Sequence, residues 1–309
     1  MQNAVNQAII QGIRVRREIL SSLSYEQRVV LLEDLFVDLF GHQHVMLQRW
    51  AALTGQSAQV DTGYIAQFVA SIVLGEPGQG FRGKGDDLAD GSEVKSAANI
   101  SGVDRPRWNH NLGSLDDDER RRGRNLQTAG DEYLGVPLMF YLLVDRPHGV
   151  ADPAPIRIRA WCIDAQQDRD WRSLFETFLA SRSGRTYNFQ LHPPVGYDDD
   201  VVVNTLGNLD FADVLIFDAR LSLADRNRPS VDWHLPLPQR VLPIAGRTRA
   251  RQYDGKGARP TRLTGTADVV LGTKDLGALF PGVLDPCDSN DLVVISEIET
   301  DADVRQECS

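Results

Sequence analysis

The sequence contains only three cysteines, Cys162, Cys287 and Cys308, and they lie far apart. An odd number of cysteines without metal-ligand spacing argues against a zinc finger or a disulfide framework, and it favours a reducing compartment. No segment approaches the roughly 18 uncharged apolar residues that a membrane span needs. Residues 1–20 lack the apolar centre of a signal peptide because arginines interrupt them. These absences predict a soluble cytoplasmic protein with no membrane partner.

Lysine is scarce as well, since only four of the 33 basic residues are lysines and the others are arginines. The 43 acidic residues give a formal net charge of −10. Such a balance argues against a protein that coats nucleic acid nonspecifically, but it is compatible with a local basic surface. The hydrophobic content of 42% is typical of a globular protein, and 309 residues are enough to bury a large core.

The chain length allows one large domain or two medium ones; we predict one domain over residues 1–309, organised in three regions. Residues 1–78 are predicted to be helical, with a capping box formed by Ser24 and Gln27 and a second helix at 62–74. Residues 79–221 form the predicted core, and residues 222–309 form a loop-rich region with an acidic tail. The core strands are predicted at 136–144, 156–163, 186–191, 201–203 and 214–217, with a helix at 171–179. This order predicts an α/β or α+β fold with a mixed sheet.

A predicted hairpin gathers charged side chains in the segment 86–96. Asp86 and Asp87 precede a tight Asp-Gly turn, and Glu93-Val94-Lys95 opens the strand that follows it. Residues i and i+2 of a strand point to the same face, so Glu93 and Lys95 project together while Val94 turns into the core. The turn brings Asp86 or Asp87 alongside Glu93. Two carboxylates and one amine are therefore predicted to converge.

Clustered carboxylates of this kind repel each other unless a cation lies between them. Hard oxygen ligands suit Mg²⁺, for which Mn²⁺ can substitute. A bound metal can activate water and neutralise a scissile phosphate, while Lys95 positions or deprotonates the attacking water or stabilises charge in the transition state. The set predicts phosphodiester hydrolysis. The alternative is an ordinary exposed hairpin with a cross-strand ion pair.

The segments 85–88 (GDDL) and 91–96 (GSEVKS) together resemble the PD-(D/E)xK nuclease motif. The short spacing between the first acid and the Glu-Val-Lys segment most resembles that of type II restriction endonucleases. The resemblance covers about residues 60–145. It implies a mixed central sheet flanked by helices. Many members also use a glutamate from an N-terminal helix, for which Glu33 is a candidate; the alternative for Glu33 is a solvated helix face.

The resemblance implies a role for each residue of the motif. Asp87 or Asp86 and Glu93 would bind the metal, the main-chain carbonyl of Val94 would be a further ligand, and Lys95 would be the catalytic lysine. Asp86 stands where the motif has its proline, so the first acid stays open between Asp86 and Asp87. The apolar residue that follows Asp87 favours Asp87.

Polar and basic residues outside the motif are candidates for contact with DNA. A predicted loop at 104–111 follows the catalytic strand and could touch phosphates or base edges, although its histidine could instead be a hydrogen-bonded structural residue. Residues 240–262 carry seven basic residues against one aspartate, and the alternative there is a solvated, locally neutralised loop. The candidates are Arg105, Arg107, Asn109, His110, Asn111, Arg122, Arg124, Arg247, Arg249, Arg251, Lys256 and Arg259.

The combined pattern predicts an Mg²⁺-dependent, sequence-specific endonuclease for double-stranded DNA, of the type II restriction class. A homodimer is expected because a two-fold protein matches a palindromic site and cuts both strands. Two alternatives stay open. One is a repair-type nicking endonuclease, and the other is a non-catalytic DNA-binding protein in which 86–95 is an ordinary hairpin.

Overall fold

The computed structural model describes fourteen segments of the chain, whose contacts fall into two units. The first unit comprises residues 1–31, 80–84 and 253–309, and the second comprises 32–79 and 85–252. The expectation of one domain over residues 1–309 stays a prediction. The described segments are 13–15, 20–21, 23–56, 58, 60–78, 87–100, 105–112, 126–146, 155–181, 188–195, 200–225, 229–239, 268–271 and 293–295.

After one short strand, the described elements begin with helices and continue with strands, between which two further helices lie. The helices are α1 (Tyr25–Leu35), α2 (Gln43–Thr54), α3 (Gly63–Leu74), α4 (Leu126–Leu134) and α5 (Arg169–Ala180), with a π-helical stretch at Phe36–His42 and a 3₁₀ turn at Ala212–Val214. The strands are β1 (Ile13–Val15), β2 (Glu93–Ile100), β3 (Trp108–Asn111), β4 (Leu138–Arg146), β5 (Ile156–Asp164), β6 (Asn188–Leu191), β7 (Val201–Asn204), β8 (Gly207–Asp210), β9 (Leu215–Ser222), β10 (Ser230–Leu235), β11 (Asp268–Leu271) and β12 (Val293–Ile295).

The first unit contains a small sheet in the order β1-β11-β12, with β1 parallel to β11 and β11 antiparallel to β12. The predicted helical region 1–78 contains α1, α2 and α3, together with the short strand β1. The predicted capping box is confirmed, because the backbone N–H of Gln27 donates to Ser24 Oγ at 3.2 Å and that of Ser24 donates to Gln27 Oε1 at 2.9 Å. These bonds satisfy backbone donors that would otherwise be left open at the start of α1.

The second unit is built on a five-stranded sheet in the order β10-β9-β5-β4-β2. The strands β2 and β4 are parallel, and the other three pairings are antiparallel. The sheet confirms the predicted α+β fold with a mixed sheet. Its central strands β4 and β5 are buried on both faces, as expected from the continuous apolar run that gives rise to β4. The strand β2 lies at one edge of the described sheet.

The π-helical stretch packs against the opposite side of the sheet from that edge. The ring of Phe36 lies 6.0 Å from that of Phe217 on β9 and 5.9 Å from that of Trp233 on β10. The Trp233 indole donates to Glu33 Oε1 at 2.8 Å. Glu33 therefore belongs to the β10 edge, so the hypothesis that it joins Glu93 on β2 is wrong.

Two further expectations are corrected by strands that lie in predicted loops. Residues 222–262 contain β10, whose Val231 and Trp233 turn partly inward while Asp232 between them faces solvent. The predicted loop at 104–111 contains β3, which pairs with β6. In the described residues, no helix has the length and apolar character needed to cross a membrane.

Candidate active site

The hairpin that precedes β2 is held by a tight turn. The N–H of Gly91 donates to the carbonyl of Leu88 at 3.1 Å, and Gly91 has a φ of 93°, which a residue with a Cβ resists. The carboxylate of Asp90 accepts bonds of 3.0 Å from the N–H and from the hydroxyl of Ser92. The carboxylate of Asp90 therefore stabilises the turn. Before the turn, the described residues Gly78 and Leu88 form an isolated antiparallel bridge.

Glu93 and Lys95 lie on one face of β2, as the alternation of a strand requires. The Lys95 ammonium donates to Glu93 Oε1 at 2.5 Å. Val94 lies between them and is only 7% exposed. The pair is therefore fixed by the strand itself, and it is largely withdrawn from water.

Asp87 is held beside this pair by two hydrogen bonds. Its Oδ2 accepts from the backbone N–H of Val94 at 2.8 Å, and its Oδ1 accepts from the side-chain amide of Gln67 on α3 at 2.6 Å. Burial acts to lower the pKa of Lys95, but Glu93, Tyr133 and Asp87 outweigh it, so that the pKa is raised. The structure thus brings together Asp87, Glu93 and Lys95, whereas Asp86 lies outside the described residues.

Two tyrosines, Tyr133 and Tyr141, lie next to Lys95. The Lys95 ammonium lies 5.4 Å from the ring centroid of Tyr133 on α4, within the range of a cation–π contact. Burial raises the pKa of the Tyr133 hydroxyl to about 12, although the charge of Lys95 opposes this. Tyr141 on β4 is the register partner of Lys95. These side chains confine the ammonium to the side of β2 that carries Glu93.

A buried hydrogen-bond chain lies behind Tyr141. The Trp171 indole donates to the Tyr141 hydroxyl at 2.9 Å, and that hydroxyl lies 2.8 Å from His110 Nε2. His110 Nδ1 lies 3.0 Å from the carbonyl oxygen of Phe189, which can only accept. Nδ1 therefore carries the proton and Tyr141 donates to Nε2. Burial and then the charge of Lys95 lower the pKa of His110 to about 3, so the imidazole is neutral.

The structure corrects the expectation that His110 contacts DNA. Its side chain is completely buried and both ring nitrogens are hydrogen-bonded within the protein. It therefore supports Tyr141 and the β3–β6 pairing, and it presents no atom to a phosphate or a base edge.

The other predicted DNA contacts divide between exposed residues and residues outside the described segments. Arg105, Arg107, Asn109 and Asn111 are exposed on one side of β3 and of the segment that leads into it. The remaining candidates lie outside the described residues: Arg122, Arg124, Arg247, Arg249, Arg251, Lys256 and Arg259.

The donor set of the described cluster fits a hard divalent cation. It contains two carboxylates against one ammonium, together with the main-chain carbonyl of Val94 in the same segment. Mg²⁺ is commonly bound through one or two carboxylates, with waters and a substrate phosphate completing its shell. Within the described residues, histidine, cysteine and acidic side chains form no group of three or more that could hold a metal.

Sequence reasoning missed Gln67, Tyr133 and Tyr141. Gln67 is the polar residue among Ile65, Ala66 and Val69 of an apolar helix, and that interruption was the available signal. Tyr133 and Tyr141 had no local signal, because helix packing and strand register bring them to Lys95.

A mixed sheet with an acidic turn before a Glu-Val-Lys edge strand defines a PD-(D/E)xK nuclease core of restriction-endonuclease type. The family model described as MamI restriction endonuclease matches residues 49–221, which include the whole hairpin. The chain is also 85% identical over 306 residues to a protein of Microbacterium ammoniaphilum named type II restriction enzyme MamI, with 99% of both chains covered. It therefore belongs to the MamI restriction endonuclease family. No solved structure matches the chain.

Proposed function

We propose that the chain is a sequence-specific endonuclease that cleaves double-stranded DNA with Mg²⁺, as a type II restriction enzyme. The observation that carries this proposal is the convergence of Asp87, Glu93 and Lys95 at the start of β2. The relative with 85% identity, which is named a type II restriction enzyme, supports it.

Asp87 and Glu93, with the carbonyl of Val94, are the residues that would hold the cation. When bound, Mg²⁺ or a substituting Mn²⁺ supplies charge neutralisation at the scissile phosphate and an acidified water. The N–H of Val94 and the amide of Gln67 orient the Asp87 carboxylate towards this role. Asp86 is proposed as the weaker alternative for the first acid.

Lys95 is the proposed catalytic lysine. Glu93 and the Tyr133 ring hold its ammonium on one face of β2. From this position the amine can orient the attacking water and stabilise the negative charge that develops on the phosphate. A group already fixed in place needs little reorganisation as that charge develops.

The proposal includes a homodimer and a cytoplasmic location. The two strands of a duplex run antiparallel, so two copies related by a two-fold axis present the same site to each strand. A dimer of this kind cuts both strands of a palindromic sequence within one encounter.

Digestion of bacteriophage DNA tests the function directly. The protein with Mg²⁺ is expected to produce discrete fragments whose ends share one sequence, and EDTA is expected to abolish the cleavage. Nicked circles without linear product would favour the nicking alternative. Binding of DNA without cleavage in Mg²⁺ or Mn²⁺ would favour the non-catalytic alternative.

Gln67 offers a milder test of how the site is positioned. Replacing Gln67 with leucine removes the donor to Asp87 Oδ1, and the rate of cleavage is expected to fall roughly 10- to 100-fold, as for other residues that orient metal ligands. Excess Mn²⁺ should restore part of the loss if the defect is weaker metal binding. The control is Ser71→Ala, one helical turn further along α3. Equal rates for Gln67→Leu and the wild type would show that Asp87 needs no such support.

A further inference from the structure

The strands β3 and β6 form a two-stranded antiparallel ribbon with two chemically different faces. From residue 105 to residue 112, exposed and buried side chains alternate without interruption. The inner face of the ribbon is completely buried and consists of Trp108, His110, Phe189 and Leu191. The outer face consists of Arg105, Arg107, Asn109, Asn111, Asn188 and the partly exposed Gln190.

The outer face combines two arginines with four amide side chains and includes no acidic residue among the six. An amide presents a donor and an acceptor in one plane, so Asn or Gln can pair with the major-groove edge of adenine, as Arg can with that of guanine. In the described part of the chain, the side chains of Asn109, Asn188 and Gln190 form no hydrogen bond. The positive charge of Arg105 and Arg107 and the amide chemistry of the other outer side chains complement a DNA groove.

The spacing of the ribbon matches that of a duplex. Alternate residues on one face of a strand are roughly 6.8 Å apart, which is about two base-pair steps of 3.4 Å. The major groove, about 12 Å wide, admits a two-stranded ribbon. Asn109 pairs with Gln190, and Asn111 pairs with Asn188 across the ribbon, so two amide pairs lie side by side along it.

The ribbon lies next to the proposed catalytic site, and hydrogen bonds from Tyr133 and Trp108 hold its strand β3 in place. The Tyr133 hydroxyl donates to the carbonyl of Asn111 at 3.4 Å, and the same Tyr133 ring faces the Lys95 ammonium. On the inner face, the Trp108 indole donates to the carbonyl of Leu142 at 2.9 Å. The end of β3 at Asn111 is therefore linked to Lys95 through the single side chain of Tyr133, and the ribbon is fixed in advance.

We propose that the outer face of the β3–β6 ribbon reads base edges in the major groove of double-stranded DNA. Asn109 and Gln190 form the central reading pair, with Asn111 and Asn188 beside them. Arg105 and Arg107 contact guanine or phosphate at the end nearer residue 105. This inference rests on the proposed function, and it assigns the sequence specificity of that function to named side chains.

The test compares cleavage of matched duplexes by ribbon variants. The recognition site is first mapped from the fragment ends that the wild type produces. One duplex carries that site, and each of the others carries one substituted base pair. Asn109→Ala and Gln190→Ala are expected to lower kcat/KM on the mapped site roughly 10- to 100-fold. At one or two base pairs only, these variants should no longer cleave the mapped site faster than the duplex substituted there. Their affinity for unrelated DNA should stay within about two-fold of the wild-type affinity, because the phosphate contacts remain.

Two further variants separate reading from folding. Asn109→Asp keeps the shape of the side chain but removes its donor, so it should lose the same discrimination without a change in melting temperature. The matched control Asn208→Ala removes an exposed asparagine from the other two-stranded ribbon, β7–β8, and should behave as the wild type.

The possible results distinguish failure of the ribbon proposal from failure of the proposed function on which it rests. Unchanged discrimination at every base pair in Asn109→Ala and Gln190→Ala overturns the ribbon proposal, and so does an equal loss on all duplexes. A wild type that produces no sequence-defined ends overturns the proposed function itself.

Discussion

Replacing Lys95 with alanine is expected to lower the rate of DNA cleavage roughly 100- to 1000-fold, the scale on which transition-state charge stabilisation contributes to catalysis. The ammonium lies on the face of β2 that carries Glu93, with Tyr133 against it, so the substitution removes the cation from that face. Affinity for the site in Ca²⁺ should change little, because one amine is a small part of a DNA interface. Single-turnover cleavage and binding in Ca²⁺ measure the two effects separately.

Arg169→Ala supplies the control for this experiment. It removes an exposed cation at the start of α5, on the far side of the buried aromatic residues, and it should leave cleavage unchanged. A Lys95→Ala protein that cuts at the wild-type rate would remove Lys95 from the catalytic site. Loss of Ca²⁺-supported binding together with cleavage would instead give Lys95 a role in holding DNA.

Replacing Glu93 with glutamine is expected to abolish both metal binding and cleavage. The change keeps the size of the side chain but removes a charged hard ligand, which Mg²⁺ and Mn²⁺ require. Calorimetric titration with Mn²⁺ should lose its binding heat, and cleavage should fall at least about 1000-fold as metal catalysis is lost. Asp87→Asn should give the same result, and Asp86→Asn should not.

Asp90→Asn is the matched control, since Asp90 lies in the same hairpin and its carboxylate is used by Ser92. This variant should bind Mn²⁺ as the wild type does, although its stability should be lower. Normal Mn²⁺ binding by Glu93→Gln would contradict the proposed metal site. A defect confined to Asp86→Asn would move the first ligand to the neighbouring residue.

The parts of the fold that sequence could predict are those with a strong local pattern. The apolar run that becomes β4 and the amphipathic pattern of α5 place both elements within two residues of their bounds. The strand β3 was missed because three of its four residues are polar by composition. Its histidine is buried only because Tyr141 and the carbonyl of Phe189, 79 residues away, satisfy it.

The same distinction applies to the candidate site. Asp87, Glu93 and Lys95 could be predicted together, since one short turn and the alternation of one strand bring them to the same place. Gln67 reaches Asp87 only through the packing of α3 on β2, which a bond from Thr62 to Ser96 also fixes. Tertiary packing of this kind leaves little trace in local periodicity.

The alternating faces of β3 also constrain how this protein can evolve. Inserting or deleting a single residue before Trp108 would shift the strand by one position and exchange its two faces. Trp108 and His110 would move into solvent, and asparagines would enter the aromatic interior. Under the proposed reading role, new specificities would arise at Asn109 or Asn111 by point substitution, whereas a shift of the strand register by one residue would cost the enzyme its fold.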